Sequence, residues 1–271
     1  MRALLRAYPT LLRVGLAEAI AYRAEMIVWM LTTTMPLVSL ALWHAVAADG
    51  PIGPSRQFDQ PRLVAYFLAG LIVRQLTGSW VVWEMNQEIR NGTLSQRLLK
   101  PIHPLLAYSA ENLAALPMRG ALSVPIAIVV LLVVGGHEFA HDWAILPLLA
   151  LSLLGAWLVT FLAMSAIGTL AFFMESSQAV FEVYLGLFFA ISGYLFPLEL
   201  LAARAPWVMA ASHALPFYYT LGFPIELMLG LHTRASALRA LGIEWAYVAG
   251  LYLLVRVMWR AGMKRWSAYG A

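Results

Sequence analysis

Cysteine is absent from the 271 residues, which removes thiolate nucleophiles, thiolate metal sites and any disulfide framework. Charge is scarce as well: 12% of residues are Asp, Glu, Lys or Arg, against about 25% in an ordinary soluble domain. Lysine occurs only as Lys100 and Lys264, and neither follows a glycine, so the chain has no G-x-x-x-x-G-K-[ST] phosphate loop. ATP held by that motif would need another subunit. What fills the chain instead is apolar: 62% of residues are hydrophobic and the mean hydropathy is +0.75. Such a composition excludes an ordinary soluble enzyme and a disordered chain alike. The net charge of +4 comes from basic residues spread at the ends of apolar runs. A nucleic-acid partner would want them gathered into one patch.

At about 20 residues per membrane helix plus loops, the length suits about six spans. The expected fold is therefore all-α and integral to the membrane. In residues 1–25, Arg2, Arg6 and Arg13 share one side of a helical wheel. Leu4, Leu5, Tyr8, Leu11, Leu12 and Leu16 take the other. That pattern predicts an amphipathic helix lying in the membrane interface. The arginines recur through the segment and no small-residue cleavage site follows a short apolar core, so it does not read as a signal peptide. Residues 26–271 form a six-helix transmembrane domain, with spans near 26–48, 63–83, 113–134 and 144–173. After a break at 174–177 a fifth span runs to about 196, and the sixth lies near 243–259. Pro117 and Pro125 are expected to kink the third span. Residues 198–242 carry Pro206, Pro216 and Pro224 and read as short helices dipping into one face.

Basic residues orient the chain. One side would carry Arg2, Arg6, Arg13, Arg23, Arg90, Arg97, Lys100, Arg260, Lys264 and Arg265. The other would carry Arg56, Arg62, Arg204, Arg234 and Arg239. The positive-inside rule then places both termini and residues 84–104 in the cytoplasm, and 135–143 and 198–242 outside. Arg74, Arg119 and Arg256 lie within apolar runs.

His137-Glu138-Phe139-Ala140-His141 fits H-E-x-x-H, which on a helix could hold zinc with Glu138 as general base. Its setting is a short loop after Gly135-Gly136, without an obvious third ligand, so an ordinary polar loop is the preferred reading. No catalytic or metal residue is assigned. A membrane zinc hydrolase built on His137, Glu138 and His141 stays as an alternative class. Asn91-Gly92-Thr93 matches a glycosylation sequon but falls on the cytoplasmic side, where it reads as a turn. A central membrane arginine costs at least about 2.5–3.5 kcal/mol, so Arg74 should face protein or water. Its candidate partners are Glu182 and Glu111. Arg119 is expected to snorkel toward the cytoplasmic interface.

Residues 84–104 are the most informative stretch. Met85 and Ile89 are four apart, as are Leu94 and Leu98, with Gly92 between the pairs and prolines at the end. One short amphipathic helix, or two, can dock in a groove of a soluble partner and pass rigid-body motion into the spans.

Glu88, Gly92, Thr93, Leu94, Leu98, Leu99, Pro101 and Pro104 resemble an E-x-x-x-G-T-L … P-x-x-P pattern in the permease subunits of type-2 ABC exporters. Ser192-Gly193, Phe196-Pro197, Glu199-Leu200, Trp207 and Pro216-Phe217-Tyr218 match a second region of that family. Ala21–Glu25 and Val73–Thr77 look like its multi-gene bacterial branch. The resemblance implies a cytoplasmic coupling helix near 84–104 and an external re-entrant hairpin. Two permease chains, identical or homologous, would pair in the bacterial inner membrane with two cytoplasmic ATP-binding subunits that hold ATP and Mg. This chain would bind no cofactor and catalyse no covalent step. Contact with the ATPase would fall to Glu84, Glu88, Ile89, Arg90, Gly92, Thr93, Leu94, Leu98 and Pro101. Arg74 and Glu182 would line the pathway or the dimer interface. Phe217, Tyr218 and Tyr219 would shape the external gate. Membrane lipid is the remaining partner, and a non-transporting scaffold for an ATPase is a further alternative.

Overall fold

Helix is the regular structure of the described residues, apart from one isolated bridge between Ile52 and Phe58. A chain that must satisfy its backbone inside lipid has few other choices. The computed structural model describes residues 2–22, 24, 28, 34–134, 139, 145–174 and 177–266. His137, Glu138 and His141 lie outside them, as does much of the first half of the predicted first span.

Helix α1 (Arg2–Ala21) is followed by α2 (Met35–Val46) and α3 (Gln60–Thr77). Asp59 caps α3 by accepting the Arg62 N–H at 3.0 Å, a standard way to satisfy a first-turn donor. Helix α3 is the centre of the molecule. Leu63 to Leu71 are buried without interruption, and α2, α7, α8 and α12 all pack on it. A break at residues 78–80 separates α3 from α4 (Val81–Asn91), and α5 (Leu94–Leu98) follows. Next come α6 (Pro104–Ala114) and α7 (Leu116–Val134). The interruption between these two falls at Ala115, two residues before Pro117, which has no N–H to donate back to the Leu113 carbonyl. Pro125 sits inside α7.

Helix α8 (Ile145–Thr169) is the longest described helix without a charged residue. Helix α9 (Gln178–Ile191) ends five residues before the predicted boundary, where Gly193 takes a φ of 87°. At about 1.5 Å per residue it is about 21 Å long, short of a bilayer core of about 30 Å. Residues 198–228 form a 3-10 turn and then α10 (Pro206–Ala214), α11 (Phe217–Thr220) and α12 (Gly222–Met228). These short helices fold back onto α3 and α8, and Leu221, Phe223, Ile225 and Leu227 are wholly buried there. Helix α13 (Arg234–Trp266) starts nine residues before the predicted last span, at Arg234 rather than residue 243. Its polar first turns lower the hydropathy without containing a helix breaker. By length and composition four helical stretches can cross a membrane: Gln60–Asn91, Pro104–Val133, Ile145–Phe172 and Arg234–Trp266. Met35–Asp49 and Gln178–Ile191 are shorter apolar helices.

The N-terminal helix does not lie free. It packs along α6, where a Cβ on Gly15 would stand 2.9 Å from the Ala114 Cβ, and Tyr8 hydrogen-bonds Ser109 at 3.1 Å. A close contact joins α8 and α13 at Gly155, where a Cβ would fall 2.7 Å from the Glu244 carboxyl carbon. Glu244 is wholly buried. The Ser152 hydroxyl is its polar neighbour on α8. Gly155→Leu is therefore expected to separate the two helices and to cost about 1–3 kcal/mol, the usual range for overpacking. Thermal unfolding in detergent measures the loss. Adding Glu244→Ala should recover part of it, because the second change vacates the space the first one fills. Unfolding of Gly155→Leu at the wild-type temperature would show that this contact does not hold α8 to α13.

Candidate functional site

The segment after α4 makes an elbow. Gly92 closes α4 in the left-handed region, with φ 76° and ψ −1°, where a side chain is strained. The chain then turns into α5. Ile89, Leu94 and Met85 point into a cluster with Tyr108, Phe172 and Trp259, and Leu94 and Met85 are fully buried. The tip faces outward: Arg90, Asn91, Gly92, Thr93, Ser95 and Gln96 are exposed, and Leu99 is 87% exposed. Pro101 is exposed beyond them, and Leu98 is half-buried. Beside the tip, a cavity of about 360 Å³ opens between α4 and the start of α9, lined by Gln87, Arg90, Asn91 and Gln178 among others.

One guanidinium holds the elbow in shape. Arg97 Nε donates to both oxygens of Glu88 at 2.8 Å, and Nη1 donates to Glu111 at 2.7 Å. Nη2 pairs with Glu84. Tyr108 donates to Glu88 at 2.6 Å, and its ring lies 4.2 Å from the guanidinium carbon. Three helices, α4, α5 and α6, thus meet on a side chain only 13% exposed. Burial alone would lower the Arg97 pKa, but hydrogen bonding and charge from Glu111, Glu84 and Glu88 outweigh it and hold the group above its ordinary value. The planar five-donor fork of arginine suits this task, and lysine could not reproduce it. Glu84 and Glu88 are expected from sequence to face a partner, yet they turn inward to Arg97. Nothing in the sequence flags Arg97, Tyr108 or Glu111 as their partners except the four-residue spacing that puts Glu84 and Glu88 on one side of α4.

Arg74 lies higher, near the end of α3, and is half-buried. Its surroundings are aromatic. The guanidinium carbon is 5.0 Å from the Phe188 ring and 5.6 Å from Trp80, distances at which cation–π attraction acts. Tyr194 hydrogen-bonds it and Tyr184 stands close by. Neither predicted carboxylate reaches it: Glu111 belongs to the Arg97 cluster, and Glu182 is exposed on α9 without an ion pair to any described residue. Arg119 does not snorkel away either. It donates to the Gly78 carbonyl at 2.8 Å, so it satisfies the break between α3 and α4.

Phe217, Tyr218 and Tyr219 are buried. Phe217 packs on Tyr184, with ring centroids 5.1 Å apart, which joins the short helices to the wall around Arg74. Tyr218 donates to Glu226 at 2.5 Å and lies 3.2 Å from His232 Nε2, which is itself 3.0 Å from Glu226. Tyr219 donates to the His213 carbonyl at 3.2 Å. Further ties run to α3 and α2: Tyr66 donates to the Gly193 carbonyl at 2.8 Å and Trp43 to that of Leu195 at 3.0 Å. These ties fasten the loop after α9 to α3 and α2, and α3 leads through the Gly78 break into the elbow.

Among the described residues no group of three or more His, Asp or Glu side chains is arranged to hold a metal. The arrangement instead suits mechanical linkage between two ends of a helical membrane protein. Residues 60–270 match the model of the ABC-2 family of transporter proteins. No curated protein matches the chain. The match covers well over half of the chain, which belongs to the ABC-2 family as a permease-type, multi-pass membrane component of an ABC transporter.

Proposed function

We propose that this ABC-2 permease exports an amphiphilic or hydrophobic substrate across the bacterial inner membrane, driven by a separate ATP-binding subunit. The observation that carries the reading is the elbow, an exposed tip on a base locked by Arg97. Six spans cross the membrane: Gln60–Asn91, Pro104–Val133, Ile145–Phe172 and Arg234–Trp266 at full length, and the shorter Met35–Asp49 and Gln178–Ile191 where the bilayer thins around them. Both termini are cytoplasmic, and the short helices after residue 198 re-enter from outside.

The tip, Arg90 to Thr93 with Leu99 and Pro101, seats in a groove of the ATPase. Ile89, Leu94 and Leu98 anchor it from within, and Glu84 and Glu88 act through Arg97. Closure of two ATPase subunits around ATP and Mg moves the elbow. The locked base passes that motion to α3 and α6 as a rigid lever. Two permease copies, the same or homologous, pair through α2 and α9. Both present exposed apolar faces, such as Val38 and Leu42 on α2 and Val183 and Leu187 on α9, with Glu182 beside the latter pair. Arg74 lies behind this face within its aromatic wall, and Phe217 to Tyr219 support the external gate. Few ionisable groups line such a path, which favours an amphiphile. The chain itself performs no covalent chemistry.

The absence of native cysteine makes the test direct. Thr93→Cys or Leu99→Cys each give a single reactive thiol at the tip. A bifunctional reagent is expected to cross-link either one to the ATP-binding subunit in isolated membranes. Thr233→Cys, at the predicted external end, should give none. Cross-linking from Thr233→Cys, or from neither tip variant, would contradict both the orientation and the docking.

A further inference from the structure

Helix α13 borders a cavity of about 900 Å³ whose other walls come from α8, α6 and α1. Its lining on α13 follows the three- and four-residue helical spacing through Trp245, Val248, Tyr252, Val255 and Trp259. From Trp245 to Arg260 the stripe rises about 22 Å, longer than one leaflet of hydrocarbon at about 15 Å. The facing wall is apolar too, with Trp157 and Phe161 stacked 5.3 Å apart. Tyr8 closes it on the α1 side, held by its hydrogen bond to Ser109.

One end of this slot is charged. Arg256 and Arg260 are one helical turn apart, both line the cavity, both are exposed, and neither pairs with a described carboxylate. The positive-inside rule puts that end at the cytoplasmic surface. His103 stands there as well, its ring 5.4 Å from Trp259. Its Nδ1 accepts the Leu105 N–H at 3.2 Å and burial lowers its pKa, so the neutral ring keeps Nε2–H as a donor. An apolar channel of acyl length thus ends in a neutral donor and two cations that pair with no described carboxylate. A neutral amphiphile would leave both guanidinium groups without an anion. An acidic peptide would answer the charge and leave the slot empty.

We propose that this groove holds an inner-leaflet phospholipid with an anionic head group, its phosphate between Arg256 and Arg260 and an acyl chain along Trp245–Trp259. The lipid would fill the space between the N-terminal helix and the last span, away from the face where a second permease copy is placed.

The test is native mass spectrometry of the full chain, exchanged into mixed phosphatidylglycerol and phosphatidylcholine micelles and then progressively delipidated. Wild type is expected to keep phosphatidylglycerol after phosphatidylcholine is lost. Arg256→Gln with Arg260→Gln should weaken retention by about thirtyfold, given the usual worth of two basic residues at an anionic surface. Ala249→Trp, which blocks the apolar slot and leaves both charges, should weaken it too. Arg204→Gln with Arg239→Gln, at the other end of the molecule, should change nothing. Equal retention of the two lipids by wild type would overturn the proposal, and that comparison needs no variant to fold. Undiminished retention by the double glutamine variant would also overturn it. Loss in that variant but not in Ala249→Trp would reduce the site to charge on an open surface, which is equally a refutation.

Discussion

Arg97→Ala is expected to stop ATP from driving movement of the permease and to lower its thermal stability. The side chain is 13% exposed and three carboxylates converge on it. Removing one partner of a buried ion pair costs about 3–5 kcal/mol, because the other charge is left without an answer. Glu84 is 39% exposed and water can reach it, so the low end of that range applies here. The larger effect is on coupling. Without Arg97 the polar ties from α5 to α4 and α6 are gone, and Leu94 and Leu98 alone seat the tip, which no longer moves as one rigid piece with its base. Arg97→Lys should not rescue, since one ammonium cannot fork to three carboxylates. Glu88→Gln should be milder, because Arg97 keeps Glu84 and Glu111. Thermal unfolding and ATP hydrolysis by the purified complex separate the two consequences. An Arg97→Ala complex with normal melting and normal ATP-driven movement would remove the guanidinium from the account.

Gly92→Pro and Leu94→Asp are expected to leave the chain in the membrane and disconnect it from ATP. Gly92 has φ 76° and proline is locked near −65°, so the variant cannot make the turn between α4 and α5. Leu94 is wholly buried, and a carboxylate there would pull α5 off its seat. A fluorophore on Arg204→Cys reads the far end of the molecule, where the chain has no native thiol to compete. In the otherwise wild-type complex ATP should change its signal. In either variant the ATP concentration dependence should weaken by about 5–150-fold, which is what losing about 1–3 kcal/mol of coupling produces. A normal response in both variants would mean that the elbow does not carry the motion.

The elbow was largely legible in the sequence because its signals are local. Met85 with Ile89, and Leu94 with Leu98, mark two buried faces. Gly92 marks the turn, and the structure has two helices meeting there. What the charges do was not legible. Glu84 and Glu88 look like a partner-facing pair until Arg97, nine residues beyond Glu88, is folded back onto them. Pairing of that kind depends on tertiary placement and leaves no period in the sequence. The same holds for Arg74, whose aromatic neighbours Phe188 and Tyr194 come from more than a hundred residues away. Hydropathy misplaced two helix ends for a related reason. Helix α9 stops at Ile191 though the apolar residues run on to Phe196, because Gly193 turns the chain back. Helix α13 begins at Arg234 though the apolar run starts later. Glu244 carries no local signal of its burial, because the close approach at Gly155 that admits it to the α8 contact is made between distant helices.

The most direct test of the central claim is purification of the tagged chain from its own host in mild detergent, with mass spectrometry of what accompanies it, done in parallel for wild type and for Leu94→Asp. The account predicts a stoichiometric ATP-binding subunit carrying a phosphate loop with wild type, together with a second permease copy. That subunit should be depleted in the variant, whose membrane level stays the same. A wild-type chain that arrives without any ATP-binding subunit would contradict the account.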